Sequence, residues 1–546
     1  MVTRTRFAAS ALVALIAFAA GCSVLLPGVA FWDTGELQTV GPLMGTAHPT
    51  GFPTYVLLGW FASVVLQPLG EPAFRMNLLS AICLAVAAGF AVDLVRALTG
   101  WLILGVAAGI GLALTPIAWA IGTHADAHSL HLALVAILLW LLVAWGTRVR
   151  GLGGTDRAST ADDLASAADD RSDRYLVAAA IVFGLAMGNH SLTLLLVIPV
   201  GLYVLAIDPG IWRRGRLVLA CVMALAITVV LVYLELPLRS APDLFRAPLV
   251  YGTPSTWDGF RYIVLAEQFQ GGLDNPFGEL PRKFAELIAR TVTQFGILAP
   301  LVPVAFIVTS LRNPRYALLT GTAAAVTCFF AASYVNADIN RYYLGPALMA
   351  WTWLAILAGT VIAWLSGPAG ERPEIPHEPS ERDRPAADPA RSAAAGHSLA
   401  RSGAALAFLL AIALLVPTII ALPARAAQVD QRRGMDASTW TTHVLDTLEP
   451  DAVIVSWWSY STPLWYAHLV LGERPDITII DDRTRLDENL GGLTDVIDAN
   501  LGKRPVYVIR ADRNEVALLA SRYELDYIDG VDASALTKVI RRRAGG

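Results

Sequence analysis

The sequence predicts a polytopic α-helical membrane protein with about eleven transmembrane helices and a C-terminal extracytoplasmic α/β domain. Three observations carry this. Of 546 residues, 55% are hydrophobic and only 16% are charged, where a soluble globular chain carries about 25% charged residues. The apolar residues gather in uncharged runs of roughly 18 or more, the length that crosses a hydrocarbon core of about 30 Å. After residue 424 the pattern changes to short β-rich runs alternating with helical periodicity. The net charge of −4 gives no reason to expect nucleic acid as a partner.

Hydropathy places spans near 7–31, 76–95, 101–122, 129–145, 175–188, 192–207, 217–237, 291–310, 316–334, 344–365 and 404–424. The stretch 175–207 is too long for one crossing and short for two, and both its flanks are basic. A pair of short helices turning at Gly188-Asn189-His190 satisfies both facts. Arg4 and Arg6, Arg96, Arg148 and Arg150, Arg213 to Arg216, Arg312 and Arg315, and the Arg-bearing stretch 371–402 then share the cytoplasmic side. Residues 1–365 thus form a transmembrane domain with outer loops 32–75 and 239–290. Residues 366–402, rich in Pro, Ala, Glu and Arg, read as a disordered cytoplasmic linker. Residues 403–424 are the last span, and 425–546 lie outside. In this tail, strands are expected at 452–455, 477–480, 506–509 and 527–528, and helices at 463–471, 493–501, 513–522 and 533–541. Together these predict a mostly parallel sheet. Cys22, Cys83, Cys221 and Cys328 all sit in apolar runs and read as small buried hydrophobes. Ala19-Ala20-Gly21-Cys22 has a faint look of a lipoprotein box. The apolar run continues through residue 31, however, so an uncleaved first span is expected.

The candidate functional residues are polar groups at the outer membrane boundary, where an ionised side chain is costly unless paired or used. Asp33 follows a long apolar helix. If helix continues, Asp33 and Glu36 lie three apart on one face and can converge on one ligand. The bland alternative is an interfacial loop whose acids face water. His124-x-Asp126-x-His128, Asn189-His190 and Asn336-x-Asp338-x-Asn340-Arg341-Tyr342 occupy other outer turns. Alternate His and Asp residues share a face only in an extended segment, so a polar helix end is preferred to a metal site there. Arg341 can snorkel to headgroups or clamp a phosphate. Trp457, Trp458, Tyr460, Trp465 and Tyr466 can stack on a ligand or belt the tail to the membrane.

Several blocks match a known pattern in order: Trp32-Asp33-Thr34-Gly35-Glu36, Ala47-His48-Pro49 through Gly59, Arg75-x-Asn77 through Ala81, and Gly184 through His190. In the tail, Pro450-Asp451-Ala452 through Arg474-Pro475-Asp476 also match. They resemble the bacterial protein-O-mannosyltransferase-like membrane proteins. That family, formerly a domain of unknown function, is glycosyltransferase family 117 and is grouped with the GT-C superfamily. The resemblance implies a GT-C transmembrane catalytic domain in the inner membrane. It would move mannose or a similar hexose from a polyprenyl-phosphate-linked sugar to an exported protein or glycan acceptor on the outer face. It implies Asp33 as catalytic base and Glu36 as its orienting or acceptor-binding partner. His48, Asp126, Asn189, His190, Arg341 and Tyr342 become substrate-binding residues, with Arg341 on the carrier's phosphate. Ala125-Asp126-Ala127-His128 departs from the family's Glu-Val-Tyr-like pattern. No cofactor is implied with certainty; a divalent cation remains open because GT-C relatives differ.

The rival functions are a transporter or flippase of a lipid-linked glycan, and a non-catalytic relative. A transporter needs its charges near the bilayer midplane, often in repeated halves, whereas here they cluster at outer ends. Retention of Asp33 and Glu36 argues against an inactive scaffold.

Overall fold

The computed structural model describes residues 2–152, 162–366, 389–532 and 534–543. Most of the expected linker therefore lies outside the described residues. Among the described residues, six helices are long and apolar enough to cross a membrane: Pro72–Thr99, Ala127–Val149, Gly215–Ser240, Pro314–Ser333, Ile339–Ser366 and Ser402–Val429. A bent pair, Leu280–Leu298 and Leu301–Arg312, adds a seventh if it is one crossing. Four shorter apolar helices, Phe7–Cys22, Pro53–Val65, Leu102–Ala113 and Ser191–Ile207, pack among them. The chain is a multi-pass membrane protein.

Two expected spans are not straight. The run 101–122 breaks into Leu102–Ala113 and Pro116–Ile121, because Pro116 lacks an N–H and fits best at a helix start. Backbone groups freed in a membrane need partners, and this break has them. Arg425 Nη1 donates to Leu114 O at 2.8 Å, and the Ile117 N–H donates to Gln294 Oε1 at 2.9 Å. The run 291–310 is not one straight helix, because the chain bends by 85° between Leu280–Leu298 and Leu301–Arg312. Before the bend, Leu280, Phe284, Ile288 and Val292 stand exposed at four-residue intervals along Leu280–Phe295. That is the pattern of a helix lying in the membrane interface.

The first helix ends at Cys22, and the chain then runs irregularly to a short helix, Trp32–Leu43. Asn77, fully buried near one end of its span, organises this stretch. Its Oδ1 accepts from Gln38 Nε2 and from the Ala125 N–H, both at 2.8 Å. Its Nδ2 donates to Leu26 O at 2.9 Å. The block Arg75–Ala81 thereby fixes two chain segments that carry candidate site residues.

The tail folds around a five-stranded sheet ordered β2-β1-β3-β5-β4: β1 Val453–Ser456, β2 Thr478–Asp481, β3 Val506–Ile509, β4 Tyr523–Tyr527 and β5 Thr537–Arg542. Strands β1, β2 and β3 are parallel, but β5 pairs antiparallel with both β3 and β4. The sheet is mixed rather than mostly parallel. The helix expected at 533–541 is corrected to β5, whose Val539 pairs with Val506 and Leu525. Pairing partners decide such a short segment against its local pattern.

The tail docks on the bundle end that carries the first loop. Tyr466 Oη accepts from the Ala73 N–H at 2.9 Å, and the Gly252 N–H donates to Asp487 at 2.8 Å. Asn77→Leu should strip partners from at least two buried polar groups, at about 1–3 kcal/mol each. A clear fall in melting temperature in detergent is the expected result; unchanged melting would show that the network is dispensable.

Candidate active site

The helix Trp32–Leu43 opens with Trp32 at φ +61°, a left-handed conformation that turns the chain sharply. A Cβ on Gly35 would meet Ala30 O at 2.1 Å and Thr462 Oγ1 at 2.8 Å, so only glycine lets the tail sit this close. At its far end, Arg239 donates to Leu43 O and Met44 O, both at 2.9 Å, satisfying carbonyls the helix leaves open.

Asp33 and Glu36 do not share a ligand-facing surface. Asp33 is part-exposed at a cavity wall, while Glu36 is fully buried. Glu36 accepts from the His48 N–H at 2.9 Å and forms a very short contact with His48 Nδ1. Burial alone would discharge the His48 ring, but Glu36, and then Asp33, outweigh it and push its pKa up to about 9. His48 is thus a cation held beside Asp33, its ring edge-on to Phe52 and Trp458.

Arg341 joins three carboxylates. Its guanidinium lies 2.9 Å from Asp33, 3.3 Å from Asp126 and 2.5 Å from Asp338. The expectation of a free phosphate clamp is therefore revised, since most of its donors are engaged. Burial works against charge on Asp33, yet His48 and Arg341 hold its pKa below the usual carboxylate value. Asp126 is held well below it: burial is outweighed by Arg341 and His128. Asp126 Oδ1 accepts from the His128 N–H at 2.7 Å and from His128 Nδ1 at 2.9 Å. A divalent cation does not fit here. Asp126 is already committed to His128 and Arg341, whose charge stands where a metal would. Among the described residues no group of three His, Cys, Asp or Glu is arranged to hold one.

Two cavities meet at this cluster. The larger, about 900 Å³, has an apolar wall including Leu192, Leu194 and Phe330, and His48, His128, His190 and Tyr342 also line it. The smaller, about 540 Å³, is bounded by Pro116, His124, Arg290, Gln294 and Gln428. Trp32, Asp33, Asp338 and Arg341 belong to both walls.

The remaining candidates divide. His190 Nδ1 accepts from the Leu192 N–H at 3.1 Å, and burial, with His128 and His131 close by, drives its pKa well down. It is a neutral ring facing the large cavity. Tyr342 stacks on His128 at 5.6 Å. Asn189 is buried and lines neither cavity; its Nδ2 donates to Ala127 O at 2.9 Å, tying two helices together. Of the tail aromatics, Trp457 and Trp458 line the large cavity, whereas Trp465 and Tyr466 are buried in the docking contact. The tail also supplies Arg483, which sequence reasoning missed. It lies over the Tyr251 and Tyr262 rings at 5.0 and 4.6 Å and pairs with Asp487 at 2.6 Å. Nothing local marks it as a site residue, because the two rings it covers come from a loop more than two hundred residues away.

Bundle, loop helix and tail together define a multi-pass membrane protein of the GT-C fold. Along 97% of its length it matches ArnT from Cupriavidus metallidurans, solved bound to undecaprenyl phosphate. The TM-score is 0.54, at 16% identity and covering 97% of that chain. The Archaeoglobus fulgidus oligosaccharyltransferase tethered with an acceptor peptide matches with TM-score 0.50 at 13% identity, covering 98% of this chain and 74% of that one. Residues 33–210 match the family model described as the Protein O-mannosyl-transferase TMEM260 N-terminal domain. Over 480 residues the chain is 26% identical to Protein O-mannosyl-transferase TMEM260 of Mus musculus, covering 84% of this chain and 59% of the relative. It is also 26% identical over 280 residues to the Dictyostelium discoideum protein of that name, covering 50% and 32%. The chain spans about three fifths of the mouse relative's length.

A raised histidine pKa contributes stability that is present below the unfolded value near 6.5 and is lost as pH rises through the folded value near 9. Wild-type melting temperature should therefore fall across that window, and Glu36→Gln should flatten this part of the profile. Glu36→Ala, which strands a buried partner, should cost about 3–5 kcal/mol.

Proposed function

We propose that this protein is a membrane glycosyltransferase. It moves mannose or a similar hexose from a polyprenyl-phosphate carrier to an acceptor hydroxyl, Ser or Thr of an exported protein. The observation that carries the reading is the Asp33–Arg341 pair on the wall common to both cavities. The names of the sequence relatives and the undecaprenyl phosphate in the ArnT structure support the same class.

In this reading the large apolar cavity takes the lipid-linked donor, and the smaller, relatively more polar one takes the acceptor. Asp33, kept ionised by Arg341 and His48, accepts the acceptor's proton as its oxygen attacks the anomeric carbon. Arg341 positions Asp33 and Asp126. Charged His48, facing the donor cavity, meets the carrier phosphate beside what remains free of Arg341. Glu36 acts through His48, and Trp457 and Trp458 offer stacking surfaces. About eleven crossings result if Phe7–Cys22, Leu102–Ala113, residues 175–188 and Ser191–Ile207 also span a locally thinned bilayer, with Pro53–Val65 kept in the outer loop 32–75. The cytoplasmic linker over 366–402, the inner-membrane location and the extracytoplasmic tail belong to this proposal.

Asp33→Asn keeps the shape and removes the proton acceptor, so transfer from polyprenyl-phosphate mannose should fall about 10²-fold or more with melting unchanged. Normal turnover in the folded variant would exclude Asp33 as base. A reporter active only in the cytoplasm, fused after the last residue, should stay silent. A strong signal there would reverse the orientation.

A further inference from the structure

One polar edge of the large cavity has no part in the chemistry above. It forms where the outer loop 239–290 meets the tail, from Tyr251, Tyr262 and Gln268 on the loop and Arg483 on the tail. All four line the large cavity and none lines the small one. Asp487 holds Arg483, accepting from its Nε at 3.1 Å, and also accepts from the Gly252 N–H at 2.8 Å. Arg483 Nη1 donates to Tyr262 Oη at 3.1 Å, and Tyr262 Oη donates to Gln268 Oε1 at 3.0 Å. Tyr251 Oη donates to the same oxygen at 3.4 Å. This chain of bonds fixes the Gln268 amide. A phenol has one proton. Tyr262 Oη accepts from Arg483 and gives its proton to Gln268, so the carbonyl end of the amide faces the phenols. The amide nitrogen keeps two donors and, among the described residues, has no partner in the protein. Gln268 is an exposed residue on the cavity wall, so these donors are open to a ligand. Arg483 differs, because its charge is matched by Asp487 and its donors are in use.

We infer that Gln268 is a specificity-determining residue that recognises the donor's sugar, its amide donating to a hydroxyl of the hexose. This rests on the glycosyltransferase reading above, in which the large cavity takes the donor and His48 meets the carrier phosphate. Position supports the assignment. Phe269, the next residue in the chain, brings its ring to 6.0 Å from the His48 ring, and Trp458 stands 5.7 Å from it. A hexose joined to a phosphate at His48 extends along this aromatic strip, which can cover its apolar face, toward the free amide. Hexoses differ only in where their hydroxyls point. A fixed donor aimed at one hydroxyl tells them apart far better than apolar contact does. Tyr262 and Arg483 are positioning residues: they hold the amide and need not touch the sugar. The tail therefore acts on donor choice through Arg483, which sets Tyr262, which sets Gln268.

The test compares two ligands on the same preparations of full chain: polyprenyl-phosphate mannose, and polyprenyl phosphate without a sugar. Gln268→Met keeps the length of the side chain and deletes its hydrogen-bonding groups. It should bind polyprenyl-phosphate mannose about 10-fold more weakly than the wild type does, the loss of one hydrogen bond, and bind polyprenyl phosphate as the wild type does. Tyr262→Phe keeps the ring and removes the hydroxyl that orients the amide, so it should show the same sugar-dependent loss to a smaller degree. Each comparison is a ratio within one preparation, so a lower folded fraction cancels. Equal losses with both ligands would mean that Gln268 only shapes the cavity, and would overturn the proposal. So would unchanged affinity for both. A wild type that binds neither ligand would overturn the carrier-based reading and the sugar contact with it. Sugar-dependent losses in the variants of a wild type that transfers no mannose would overturn the glycosyltransferase reading while leaving the Gln268–sugar contact standing.

Discussion

The site depends on one guanidinium. Arg341 reaches Asp33 on the first loop, Asp126 before the span Ala127–Val149, and Asp338 in its own turn. It therefore ties three separated parts of the chain at a membrane boundary. Removing one member of a largely buried charge cluster leaves the others unpaired in low dielectric, which costs far more than a surface pair is worth. The cluster also sets the shape of the site, because the same ion pair is the wall between two cavities. A loop helix that merely floated at the interface could not define that wall.

Holding the cluster in place demands irregular backbone at membrane depth, and the chain meets that demand locally. The Pro116 break opens the small cavity, and Gln294 and Arg425 satisfy the backbone groups it frees. Gln294 comes from the interfacial helix and Arg425 from the last span, so the break is stable only with both packed against it. The same logic explains Asn77 and Gln38, whose amides replace the hydrogen bonds missing between residue 26 and residue 30. Positions that look like motif chemistry in the sequence thus serve partly as backbone substitutes.

Much of the bundle was legible because a membrane helix is coded by local composition. Asp33 was legible for a related reason: a carboxylate directly after an apolar run has few uses. What was hidden depended on contacts remote in sequence. Glu36 reads as Asp33's partner from its spacing, yet its true partner is His48, twelve residues on and brought back by the loop. Arg483 carries no local signal, and Asn189 looks like a ligand-binding turn although it is a helix tie. The strand β5 has a helical pattern that two pairing partners override.

The charge balance of the site agrees with a reaction that separates charge. Three carboxylates around Arg341 leave that cluster net negative, which suits positive charge developing at a sugar's anomeric carbon. A negative cluster would also repel the carrier phosphate, and this is where the Glu36–His48 pair matters. Glu36 is buried away from both cavities, so its charge is spent on His48, and the ring presents a cation to the large cavity without exposing another acid. Anion and cation are thus presented to different ends of the bond that would break. Such preorganised charge acts most strongly where water is excluded. The tail contributes Trp457, Trp458 and Arg483 to the wall of the large cavity. In the proposed reaction its docking on Gly35 matters too, because a side chain there would push the tail from the very helix that carries Asp33.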